Sequence, residues 1–281
     1  MGATKDVDRV VSRASVAHAA AACMAPSQRA GMLRTIAEHL DRAADELVPL
    51  AMSQTHLPEP RLRGELARTT FQLRLFAEEI ERGELLDVVI DHSDESWGMG
   101  PRPDIRRMNV PLGVVGVFGA SNFPFAFSVM GGDSASALAA GCAVVHKIHE
   151  AHEALGLRTA EIVAEALRDA GAPEGLFATV TGREAGEALV DHPLVKAIGF
   201  TGSTRVGRLL MDRAQRRGGP IPFYGELGSV NPVFVTRSAW QERSEEIATG
   251  YVDSFTLGAG QFCTKPGILV VPELAEADRA L

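Results

Sequence analysis

Apolar residues recur at three- and four-residue steps over the first eighty positions. Leu33, Ile36, Ala37, Leu40, Ala43, Ala44, Leu47 and Leu50 form one such face, with charges between them. Leu66, Thr69, Thr70, Leu73, Phe76, Ala77 and Ile80 form a second. This spacing lays one side of a helix against a core, so helices are predicted across residues 6–82. Pro26 and Pro58 stand near two helix starts, where a missing N–H costs little. The runs Leu85–Ile90 and Ile105–Val110 are β-rich and flank Gly98, Gly100, Pro101 and Pro103, which predicts a hairpin-like excursion over residues 84–110.

From residue 113 the rhythm changes. Strands are predicted at Val114–Phe118, Ala143–Lys147, Leu176–Val180, Val195–Phe200 and Pro222–Leu227. Helices are predicted near 127–140, 152–170, 183–190 and 204–217. Such alternation implies βαβ crossovers, hence an α/β fold with a doubly wound parallel sheet covered on both faces. Ligands of such sheets sit beyond the carboxyl ends of the strands.

One stretch competes with this reading. Met108–Gly132 carries no charge over 25 residues, enough for a membrane span of about 20. It also contains Pro111, Pro124, Asn122 and five glycines, whose breaks would leave backbone groups unsatisfied in lipid. A buried strand, tight loop and helix start in a soluble protein fit better. The N-terminal MGATKDVDRVVSR mixes acids and bases and lacks a signal peptide's apolar core.

Composition narrows the classes further. At about 150 residues per domain, 281 residues allow about two domains. The 28 Lys+Arg against 36 Asp+Glu give a net charge of −8, which argues against non-specific nucleic acid binding. Cys23, Cys142 and Cys263 have neither metal-ligand spacing nor the number for a disulfide framework, so no metal site and a cytoplasmic setting are expected.

Four places could carry chemistry. Gly199-Phe200-Thr201-Gly202-Ser203-Thr204-Arg205-Val206-Gly207 joins a predicted strand to a predicted helix, whose N-terminus can receive a phosphate. A glycine turn before an ordinary helix gives the same pattern. Cys263 lies in the polar, glycine-flanked Gly258-Ala259-Gly260-Gln261-Phe262-Cys263-Thr264, where a thiolate nucleophile is feasible. Cys23 and Cys142 fit a buried role instead. Glu226, in Tyr224-Gly225-Glu226-Leu227-Gly228-Ser229, ends a predicted strand and could act as a general base or be a plain loop glutamate. Asn122, in Gly119-Ala120-Ser121-Asn122-Phe123-Pro124, could donate to an oxyanion or simply serve its turn.

Taken in order, FGASNFPFAFS, LAAGCAVVHK, FTGSTRVG, ELGSVNP and GAGQFCT resemble the motif set of the aldehyde dehydrogenase superfamily, from about residue 26 onward. ASNFPFAFSVMGGDSASALAAG, the His149–His152 pair and GAGQFCTKPG look most like the branch acting on 2-oxoglutarate semialdehyde (2,5-dioxopentanoate). The resemblance implies Cys263 as nucleophile, Asn122 with the Cys263 N–H as oxyanion donors, and Glu226 as base. It implies an NAD or NADP site at Lys147, Glu150, Gly202, Ser203 and Gly207. Glu150, three residues after Lys147, favours NAD, whereas the branch resembled favours NADP. A small aldehyde substrate and a homo-oligomeric full-length form are further implications.

Two departures qualify the match. Ser121 stands where many members carry Trp. Only 18 residues follow Cys263, where the family's catalytic domain continues well beyond. Residues 1–229 are thus expected to form a cofactor domain and 230–281 an incomplete catalytic domain, with VPELAEADRAL supplying no return strand. Exposed apolar surface and aggregation would follow. A catalytically silent nucleotide-binding remnant and a long-chain aldehyde dehydrogenase are the competing readings.

Overall fold

The computed structural model describes residues 2–273. The chain divides into two compact units, Met1–Glu226 and Leu227–Leu281.

The first unit opens with four helices: α1 (Gly2–Ala21), α2 (Pro26–Arg42), α3 (Ala44–Thr55) and α4 (Glu59–Arg82). Pro26 begins α2, and Gln28 Oε1 accepts from the N–H of Ala25 at 3.0 Å. Pro58 caps α4 at its start, and Gly83 closes it in the left-handed conformation (φ 77°). The single apolar face expected over Leu33–Leu50 is shared by two helices. Ala43 breaks it (φ −87°, ψ 4°) while still bonding His39 O and receiving the N–H groups of Glu46 and Leu47, so the apolar spacing runs on across the joint.

The excursion that follows is a short antiparallel ribbon. β1 (Val89–Asp91) pairs with β2 (Ile105–Arg107), three residues on each arm. The arms are shorter than expected, and their side chains are exposed.

The sheet then builds as β3 (Val114–Phe118), α5 (Gly132–Ala139), β4 (Ala143–Lys147), α6 (Glu153–Asp169), β5 (Phe177–Val180), α7 (Arg183–Asp191), β6 (Val195–Thr201), α8 (Thr204–Arg216) and β7 (Phe223–Glu226). The strand order is β5-β4-β3-β6-β7, with every pair parallel. Each residue of β3 and β4 is buried, so both sheet faces are covered, as their near-continuous Val content anticipates. α1 packs on α7 and on β3, β4 and β5, while α2 packs on α4 and α6, and α4 on α5.

One predicted helix starts late. Residues 124–131 form tight turns, and α5 begins only at Gly132. Gly131 is extended there (ψ −172°), and the segment closes on itself through Ala120 N–H to Phe127 O, 2.8 Å. The apolar run Met108–Gly132 is therefore strand, loop and helix start. Among the described residues no helix is long and apolar enough to cross a membrane.

The second unit pairs β8 (Pro232–Phe234) with β9 (Ile268–Val270) in parallel, connected through α9 (Arg237–Thr256), whose path breaks at Arg243 (φ −150°). No side chain of α9 is buried, and Phe234, Val252, Leu257 and Ile268 are exposed. Most of VPELAEADRAL lies outside the described residues.

A titratable group inside the sheet gives the fold a pH dependence. His146 of β4 is fully buried; burial first, then the neighbouring His152 and Lys147 charges, bring its pKa down to about 3. Its folded value lies below the ordinary 6.5 of an unfolded chain. The unfolded state alone therefore binds a proton as pH falls through that window, and stability falls with it. His146 should remove about 2 kcal/mol of stability at pH 5 relative to pH 7.5. Urea unfolding at the two pH values checks this, and His146→Leu should lose most of that difference.

Candidate active site

Parallel strands bring their carboxyl ends to one edge of the sheet, and the residues singled out in the first unit gather there. Lys147 ends β4, beside Phe118 of β3 and Val180 of β5. Its stem is buried, and Nζ lies 2.5 Å from Glu150 Oε1. Burial alone would raise the Glu150 carboxyl. The hydrogen bond from Lys147, a backbone bond and the Lys147 and His149 charges outweigh it, leaving the group below its ordinary value. Beside them, His149 stacks on His152 at 5.7 Å, and burial, then His152 and Lys147, lower its pKa. His152 is wholly buried, and its Nε2 donates to Ala120 O at 2.9 Å.

The turn after β6 is built as a helix start. Ser203 caps α8 by accepting the Val206 N–H. Gly202 donates its N–H to Glu226 O at 3.0 Å, and a Cβ there would meet the Phe200 ring at 2.8 Å. Gly207 is buried in α8, with its N–H bonded to Ser203 O. Glycine is thus needed at 202 for close packing, and Ser203 marks the dipole end. Gly207 can serve a ligand only through packing, because its N–H is spent in the helix.

Glu226 ends β7, opposite Thr201, and is exposed. The half-buried Asp133 of α5 has its carboxyl raised, by burial first and then by the Glu226 charge. Carboxylates of both residues therefore influence the same end of the sheet.

Asn122 lies in the loop between β3 and α5, partly buried. Three side chains hold that loop. Arg61 Nη2 donates to Asn122 O at 2.7 Å. Glu65 Oε1 accepts from the N–H groups of Phe125 and Ala126 at 2.8 and 3.0 Å. His152 takes the Ala120 carbonyl, as above. Phe123 stacks edge-on against Phe127, with Arg61 over the first ring and Arg68 over the second.

Cys263 belongs to the second unit, in a turn after a 3-10 segment (Leu257–Gly260) where Gly258, Ala259 and Gly260 all take positive φ. It is exposed. Its carbonyl accepts from Ser229 Oγ and, at 2.7 Å, from Asn231 Nδ2, which also reaches Lys265 O at 3.0 Å. Gly267 N–H returns to Val230 O at 2.8 Å. The ELGSVNP segment thus clasps the GAGQFCT turn. Cys142 is buried as expected, but Cys23 is exposed, just past the end of α1.

Arg61, Glu65, Ser229 and Asn231 were not among the residues expected to matter. Glu65 had a legible signal: a charge inside the apolar stripe Leu62, Leu66, Thr69 and Leu73 of α4. Asn231 had one only in its tolerance of the left-handed conformation it adopts (φ 48°).

This fold and this ordered set of side chains define an aldehyde dehydrogenase-type architecture. The chain belongs to the aldehyde dehydrogenase family, whose model matches residues 1–278. Among its relatives, Alpha-ketoglutaric semialdehyde dehydrogenase 2 of Azospirillum brasilense is 46% identical over 99% of this chain and 54% of its own length. Alpha-ketoglutaric semialdehyde dehydrogenase of Acinetobacter baylyi is 46% identical over 86% of this chain and 46% of its own. The chain spans about half the length of these curated relatives. A solved NADP-dependent glyceraldehyde-3-phosphate dehydrogenase from Bacillus halodurans, complexed with NADP, is 27% identical, with TM-score 0.81 over 96% of this chain and 54% of that one.

The Asn122 loop depends on one glycine. A Cβ at Gly131 would come within 2.4 Å of the Ala126 carbonyl oxygen, a backbone atom that cannot swing away. Gly131→Ala should cost about 1–3 kcal/mol, read as a lowered midpoint in thermal or urea unfolding.

Proposed function

We propose that the protein carrying this chain oxidises 2,5-dioxopentanoate to 2-oxoglutarate with NAD or NADP, through a thioester on Cys263. The observation that carries the reading is the meeting of Lys147, the Asn122 loop, the Ser203 helix start and Glu226 at one sheet edge, in a chain 46% identical to two α-ketoglutaric semialdehyde dehydrogenases. In this reading residues 1–229 are the cofactor domain and 230–281 the opening of the catalytic domain.

The residues present fit a dinucleotide. Lys147 and Glu150 offer a cation and a carboxylate to an adenosine ribose, and the Ser203 turn offers the positive end of α8 to a pyrophosphate. A nicotinamide cofactor bound there would supply the hydride acceptor for the substrate carbon. The chain supplies the rest. The Cys263 thiolate attacks the aldehyde carbon, and the Asn122 amide with the Cys263 N–H stabilises the oxyanion of the thiohemiacetal. After hydride loss, Glu226 takes a proton from water as it attacks the thioester, releasing the carboxylate and the thiolate. A reducing, cytosolic setting fits an exposed nucleophilic thiol. A homo-oligomer is proposed for the full protein on the family's resemblance.

Cys263→Ala should abolish NAD(P)H formation with 2,5-dioxopentanoate, and unchanged turnover would refute the mechanism. A higher kcat/KM for an alkyl aldehyde than for this anionic one would favour the long-chain reading.

Cofactor choice turns on Glu150. In Glu150→Gln, Lys147 Nζ loses its carboxylate partner and is available to a 2′-phosphate. The ratio of kcat/KM for NADP to that for NAD should rise about tenfold, corresponding to about 1.4 kcal/mol.

A further inference from the structure

Glu65 is a carboxylate in the apolar face of α4, only 6% exposed. Such a group is costly unless its oxygens are well used. Oε1 takes the N–H groups of both Phe125 and Ala126, which lie in tight turns outside helix and strand. Oε2 makes no hydrogen bond and lies 4.0 Å from Arg61 Nη2. Arg61, one turn earlier on α4, donates to the carbonyl of Asn122 itself and sits 5.0 Å from the centre of the Phe123 ring. Two side chains one helical turn apart therefore grip the backbone on both sides of Pro124. They are anchored in a helix that packs on α2, α3 and α5.

We propose that Arg61 and Glu65 are positioning residues for the Asn122 amide, locking residues 122–126 so that the oxyanion donor is in place before the substrate arrives. This rests on the reading of Asn122 as that donor. A purely structural role would not single out this geometry. A leucine would fill the stripe without desolvating a charge, and Arg61 bonds the donor residue's own peptide.

The test is a double-mutant cycle in the full protein that carries this chain, reading kcat and KM for 2,5-dioxopentanoate and cofactor affinity. Asn122→Ala should lower kcat about 10²- to 10³-fold. Arg61→Met and Glu65→Leu should each lower kcat about tenfold, with KM and cofactor affinity within about twofold. Glu65→Gln, whose amide oxygen can keep both N–H bonds, should stay within about threefold of wild type. On the Asn122→Ala background, Arg61→Met should cost less than about twofold more, because the group it positions is gone. Should Arg61→Met fail to fold, Arg61→Lys carries the same readout, since it keeps the charge but loses the planar fork.

Full additivity with Asn122→Ala, or a loss in Glu65→Gln equal to that in Glu65→Leu, would overturn the positioning role. Wild-type kcat in Arg61→Met, with the expected loss in Asn122→Ala, would overturn it while leaving the donor reading standing. Wild-type kcat in Asn122→Ala would overturn the donor reading and the positioning role with it.

Discussion

A parallel strand can present chemistry only where its chain leaves the sheet, and in this protein that constraint organises the first unit. β3 is central, β4 and β5 extend to one side, and β6 and β7 to the other. The chain therefore reverses its direction of winding beside β3, and the loop after β3 stands at the crevice where such sheets take ligands. Asn122 is in that loop. Lys147 is one strand away on one side, and the Ser203 helix start and Glu226 follow on the other. Nothing in the individual residues requires this gathering. It comes from strand order.

The electrostatics of this edge follow from burial. Lys147 emerges from a strand with no exposed residue, so its charge needs a partner within reach, and Glu150 supplies one. A residue earlier, His146 is held in the sheet as the neutral imidazole, with Ser134 Oγ beside Nδ1 and Gly119 leaving space at Nε2. A side chain at Gly119 would come within 2.9 Å of that nitrogen, so the glycine that starts the Asn122 loop and the histidine that precedes Lys147 are fitted to one another.

The sheet was legible in the sequence because its period is strong. Val114–Phe118 and Ala143–Lys147 are continuous apolar runs, and the helices between them show regular spacing. The start of α5 was not legible. FPFAFSVMGG carries enough apolar residues for a helix, but the phenylalanines pack a closed loop instead, and only the contacts from α4 reveal that. His149 and His152 look alike in sequence, yet one is half-buried and accepts the Ala151 N–H while the other is wholly buried and bonds the Ala120 carbonyl. Their difference arises from a partner 32 positions away, which no local pattern encodes. The Cys263 turn was legible as a motif, while its clasp by Ser229 and Asn231 depends on a pairing across more than 30 residues.

Glu65 breaks a local rule of helix faces. Charged residues are almost never fully buried without a partner, and a helix face meant only for packing would exclude one. Here Oε1 accepts two peptide N–H groups that lie in tight turns outside helix and strand, where no ladder or helical bond takes them. The cost of desolvating the carboxylate is therefore exchanged for rigidity in one short loop. In the role proposed for Asn122 such rigidity matters, because a dipole that must reorient as charge develops gives back much of the stabilisation it provides. Helix α4, outside the sheet, thus adds its own hold on the loop after β3, beside those from His152 and from β4.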